Sequence, residues 1–187
     1  MRKHTKGLML ALLVGVAALV AAASASAGSN VTATATVSAG TLSLSTSAAP
    51  SVSATLNGTD QSPTYTLPMT VSDNTGSGTG WNVTITSTQF SCCTGGHSLS
   101  TSASSVTGVT SSCAVSTTCT NPTNSITYPL AVPAGSGPPT AVKLFNATAN
   151  TGMGSFTVTP TVSVAIPANT YAGTYTSTVT VAVVSGP

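Results

Sequence analysis

The chain has 187 residues with four Lys or Arg and two Asp, so only 3% of it is charged while 41% is hydrophobic. Three of the four basic residues lie within the first six positions, which leaves Lys143, Asp60 and Asp73 for everything that follows, a net charge of −1. Neutralising phosphates takes several Lys or Arg, and attraction to an anionic bilayer takes a polybasic cluster; the composition excludes both partners. Ser and Thr make up about a third of the residues. Solubility therefore rests on hydroxyls and amides, and the periodic apolar residues argue for a folded chain rather than a disordered one.

In chain order, Arg2, Lys3, His4 and Lys6 form a basic head, Leu8 to Ala23 run apolar without a charge, and Ala25-Ser26-Ala27 offers a small-residue cleavage site. This pattern predicts a secretory signal peptide over 1–27, too short in its apolar run to span a bilayer. A single domain over 28–187 follows, secreted and without membrane association after cleavage. Its dominant signal is period-two alternation, the mark of half-buried strands. "NVTATATVS" places Val31, Ala33, Ala35 and Val37 on one face; "TYTLPMTVS" does so with Tyr65, Leu67, Met69 and Val71, and "WNVTIT" with Trp81, Val83 and Ile85. Then come "SITYPL" (Ile126, Tyr128, Leu130), "AVKLFN" (Val142, Leu144), "SFTVTPTVSVAI" (Phe156, Val158, Val162, Val164, Ile166) and "GTYTSTVTVAVV" (Tyr175, Val179, Val181, Val183), with "TLSLS" and "SVSATL" as weaker candidates.

Thr and Val favour strands and disfavour helices, and Gly-rich turns at Asn57-Gly58, Asp73–Gly80, Gly95-Gly96, Gly135–Pro139 and Ala172-Gly173 punctuate the runs. The expected fold is all-β: an antiparallel β-sandwich of Ig-like or Greek-key type with a disulfide-stapled insertion. Pro68, Pro129 and Pro160 fall inside strand-like runs and are expected at sheet edges or bulges, where a missing N–H is tolerated. The insertion, about 87–124, reads as irregular and holds all four cysteines: Cys92, Cys93, Cys113 and Cys119. An even count in a secreted chain implies disulfides. Bridging adjacent cysteines requires a strained ring, so Cys92 and Cys93 are each expected to pair with one of Cys113 and Cys119, in either combination.

Chemistry-bearing residues are few. From Gly28 onward there is one histidine, His97, with two aspartates and no glutamate. Acid–base or nucleophilic catalysis needs a positioned set of such groups, and no enzyme is expected. Cys92, Cys93, His97, Cys113 and Cys119 are zinc-ligand types but lack the paired spacing of a structural site. The "SDNTGSGTG" loop offers a single carboxylate where calcium recruits several, and so it reads as a plain turn. No metal and no cofactor is therefore expected. Sequons at Asn30, Asn57, Asn82 and Asn146 match the glycosylation pattern as chance would in a Thr-rich chain. Trp81, in register with Val83 and Ile85, is expected in the core.

"LPMTVSDNTGSGTGWNVTIT" and the C-terminal "IPANTYAGTYTSTVTVAVV" together resemble the WxL domain of Gram-positive surface proteins. Trp81-Asn82-Val83 stands in the place of Trp-x-Leu, with valine for leucine, and Val181-Ala182-Val183 stands where the family carries its second motif. The resemblance implies display outside the cell, non-covalent attachment to the wall, and peptidoglycan or other surface proteins as partners, with Trp81, Asn82 and Val83 as candidate contacts. A structural or adhesive role follows. The chain stops at Ser185-Gly186-Pro187 without a sorting motif, consistent with non-covalent display. The same closing strand is also similar to spore-coat-U and pilin-like subunits, which assemble by donating a strand to a neighbour. "NVTATATVS" would be the donor and a homo-oligomer the product.

Overall fold

The computed structural model describes residues 29–46 and 49–187, and the expected signal peptide lies outside the described residues. Residues Val37–Pro187 form one compact unit, and residues 29–36 belong to another. Among the described residues there are twelve strands and no helix. They are β1 (Leu42–Thr46), β2 (Thr64–Thr66), β3 (Met69–Asp73), β4 (Trp81–Thr88), β5 (Ser91–Cys92), β6 (His97–Ser98), β7 (Ser104–Cys113), β8 (Leu130–Ala131), β9 (Ala134–Gly135), β10 (Val142–Ala147), β11 (Gly154–Val164) and β12 (Val179–Ser185).

Besides the two-stranded β5-β6 sheet there are two larger ones: one runs β1-β3-β11-β7-β8, with β2 also on β11, and the other runs β10-β4-β12, with β9 parallel to the end of β4. Their inner faces meet in one core. Val71, Phe156, Val158, Val162 and Val106 come from the first sheet, and Trp81, Val83, Ile85 and Leu144 from the second. The period-two expectation holds along β11, where alternate residues from Phe156 to Val164 are buried. Leu42 and Leu44 of the weakly predicted "TLSLS" pack against the core from β1.

Several expectations are corrected. Residues 29–41 form no strand and are exposed throughout, with Val31 87% and Val37 93% accessible; "SVSATL" forms none either. The stretch 87–124 is not simply irregular, because it contains β7, which pairs along nearly the whole of β11. Pro160 lies not at an edge but within β11, which has neighbours on both sides. Its carbonyl accepts from Leu67 N–H at 3.0 Å. Since a residue's N–H and C=O share one side of a strand, its missing donor faces the break between β2 and β3.

"SITYPL" contributes only Leu130 to a strand. Residues 123–128 instead run along the free edge of β10 as a strap. Thr123 carbonyl accepts from Thr148 N–H at 3.1 Å, Asn124 Oδ1 accepts from Asn146 N–H at 3.0 Å, and the Tyr128 hydroxyl donates to Leu144 carbonyl at 2.7 Å. Side chains take the place of a backbone ladder, so the edge is covered without a further strand. The peptide Tyr128–Pro129 is cis.

Candidate functional site

β3 ends at Asp73 and β4 begins at Trp81 after seven intervening residues, so the glycine-rich loop lies at one pole of the sandwich with the start of β11 and the end of β12. Asp73 is 5% exposed, and its Oδ1 accepts the Thr75 N–H at 3.0 Å and the Thr75 hydroxyl at 2.7 Å. This is the local Asx turn that aspartate favours. From there "TGSGTG" alternates hydroxyl residues with glycines at φ +64° (Gly76), +66° (Gly78) and +76° (Gly80). The left-handed glycines turn every hydroxyl to the same side. Thr75 meets Ser77 at 2.9 Å, Ser77 meets Thr79 at 3.0 Å, and Thr79 meets Ser185 of β12 at 3.3 Å.

The row has a direction. A carboxylate only accepts, so Thr75 spends its proton on Asp73 and must accept from Ser77, which accepts from Thr79 in turn. Each hydroxyl in such a chain polarises the next. Ser77, Thr79 and Ser185 are exposed; Ser77 also accepts the Thr79 N–H at 3.3 Å, which fills both its lone pairs, so the acceptors left for an outside donor are on Thr79 and Ser185. The loop is thus more than the plain turn expected of it. The alternation of Thr or Ser with Gly is the sequence signal for the row; nothing in the sequence points to Ser185 as its last member.

Trp81 occupies the core position expected of it. It is 0% exposed, its ring centroid lies 5.8 Å from that of Phe145 and 6.0 Å from that of Phe156, and its Nε1–H donates to Gly152 carbonyl at 2.7 Å. Val83 is also 0% exposed. Asn82, on the opposite face of β4, is 5% exposed and donates through Nδ2 to Gly186 carbonyl at 2.7 Å. Asn146, cross-strand from Asn82, is 4% exposed, and its Oδ1 accepts from Ser125 N–H at 2.8 Å. Trp81 and Asn82 therefore tie the first motif strand to the 148–153 loop and to Gly186, while Val83 fills the core between the sheets. Among the described residues every buried side-chain N or O has a hydrogen-bond partner.

The cysteines are not cross-paired as expected: Cys92 bonds Cys93 and Cys113 bonds Cys119. Cys113 ends β7 opposite Phe156, at the motif pole, whereas Cys92 lies beyond Thr88, at the far end of β4. Eight residues of strand span about 27 Å, and a disulfide bridges Cα atoms no more than about 7 Å apart. The zinc-ligand types are thus split between the poles. His97 stacks on Tyr171 with centroids 3.8 Å apart, and Gly173 passes so close to the Cys92–Cys93 pair that a Cβ there would collide with Cys93 Sγ. Among the described residues no cluster of three His, Cys, Asp or Glu could hold a metal ion.

Two tyrosines have perturbed hydroxyls. Burial raises Tyr65 above its ordinary value; burial also raises Tyr128, against a smaller opposing effect of the hydrogen bond from Asn124 Nδ2 at 3.1 Å. Neither lies in the hydroxyl row.

Comparison with curated proteins and with solved structures finds no significant match. Residues 28–187 match the family described as "WxL domain surface cell wall-binding", nearly the whole chain from the threonine-rich start to the closing strand, and the protein therefore belongs to the WxL family, as a cell-surface, wall-associated protein.

Proposed function

We propose that the protein is a non-enzymatic module that binds peptidoglycan non-covalently through the exposed hydroxyl row at its motif pole, in a structural or adhesive role. The observation that carries this reading is the polarised chain Asp73–Thr75–Ser77–Thr79–Ser185, which presents aligned acceptors at the surface. Glycan hydroxyls and peptide amides are matching donors. The family match supplies the wall as the surface to be bound. With one lysine and two aspartates after residue 6, attachment has little ionic character and should depend weakly on salt. Trp81 supports the pole from within: it fixes where β4 enters the core and where the loop must end.

Pull-down on purified cell walls tests the reading. Substituting Thr79→Val and Ser185→Ala together should weaken binding about tenfold, the loss of two hydrogen bonds of ordinary strength, with little change in melting temperature. Wild-type binding should persist as salt is raised. Unchanged binding by the double variant would reject the hydroxyl row as the contact surface.

A further inference from the structure

The two sheets do not treat their edges alike. The strap over 123–128 covers β10, one edge of the second sheet. At the other edge, among the described residues, β12 is paired to β4 alone, and its hydrogen bonds run to β4 or to the loop before it. Among the described residues β3 is likewise the one strand neighbour of β1, the edge of the first sheet on the same side, which packs across from β12. Between them runs an apolar seam. Leu42, Leu44, Val179, Val181 and Val183 are only partly buried there, although Val83 and Ile85, in register on β4, are 0% and 1% exposed. An unpaired edge beside an apolar seam is a template for a further strand.

The chain carries a segment of the complementary chemistry. Residues 30–38 alternate Val31, Ala33, Ala35 and Val37 with threonines, carry no charge, and are exposed without forming a strand. Nine extended residues reach about 30 Å, enough to cover the seven of β12 at about 23 Å. We infer that this segment is a donor strand that adds to the β12 edge of a second copy of the chain, setting its Val and Ala face into the seam against β1.

Chain direction favours a second copy over the same one. Gly40 N–H donates to Asn74 carbonyl at 2.8 Å and Asn74 N–H to Thr41 carbonyl at 3.2 Å, which extends the β1–β3 ladder past Leu42 to Gly40. Within one chain only Ser38 and Ala39 would remain to reverse direction and cross the roughly 10 Å between sheets, and the segment would then lie parallel to β12. From a second copy it adds antiparallel, the more stable pairing. The inference rests on the sheet edges and not on the wall-binding reading.

Sedimentation velocity on the secreted protein, over a range of concentrations, provides the test. Association should grow with concentration, and Val31→Asp with Val37→Asp should weaken it by more than about tenfold, because the new carboxylates would be buried without partners. The melting temperature of the monomer should stay unchanged, and a synthetic peptide of residues 29–38 should compete with association. A protein that remains monomeric at every concentration overturns the proposal, as does association that survives the double substitution. A monomer whose melting temperature falls with the substitution also overturns it, since that signals donation within the chain. Wall pull-down of the same variant reads the other proposal separately.

Discussion

Trp81 and Gly152 are shaped for one another. Gly152 has φ +71°, and a Cβ on it would stand 2.7 Å from Trp81 Nε1, the atom that donates to its carbonyl. Gly152→Ala therefore combines a left-handed backbone penalty with a collision against a ring that cannot move, and should cost more than about 2 kcal/mol by thermal denaturation. Gly76→Ala is the control. Its φ is +64° but nothing lies within 4 Å of the added Cβ, so only the backbone penalty of about 1 kcal/mol should appear. Trp81→Ala removes the ring itself and should destabilise by about 3–5 kcal/mol, lowering the melting temperature whether or not walls are present. Trp81 could be placed in the core from its register with Val83 and Ile85. The need for glycine at 152 could not, because the two residues meet only through the packing of the 148–153 loop on β4.

Among the elements, the disulfides act unequally. Cys113 and Cys119 close a loop of six residues, worth about 2 kcal/mol in the chain-entropy model, whereas Cys92 and Cys93 are neighbours and constrain almost no chain. Replacing Cys113 and Cys119 by serine should lower stability by about that amount in denaturant melts; replacing Cys92 and Cys93 should leave global stability nearly unchanged. β3, β4 and β11 were legible because each buries one face and shows it as alternation. The segment over 30–38 shows the same alternation yet forms no strand, since period two reports a face that could be buried and not the presence of a neighbour. Pro160 illustrates the converse. It looked like an edge marker, but the break between β2 and β3 lets a central strand carry it.

For the molecule as a whole, pH should matter mainly at the alkaline end. After residue 6 the chain holds only Asp60, Asp73, His97 and Lys143 as acidic or basic side chains, so few groups titrate through the neutral range. Tyr65 and Tyr128 are raised by burial. A hydroxyl with a folded value above its unfolded one contributes stability that is whole below about pH 10 and is lost as pH rises through the folded value. Melting temperature should therefore hold from pH 6 to 9 and fall above about 10; a steep loss between 6 and 8 would contradict this. By itself the sequence determined the all-β class, the inward set of the main strands, the core position of Trp81 and the scarcity of charge, because these are properties of local pattern and composition. Tertiary structure alone decided the cysteine pairing, the strap over β10, the continuation of the hydroxyl row to Ser185 and the open edge at β12. Each of these depends on which segments lie beside one another at a pole or an edge, and long-range adjacency leaves no periodic trace in the chain.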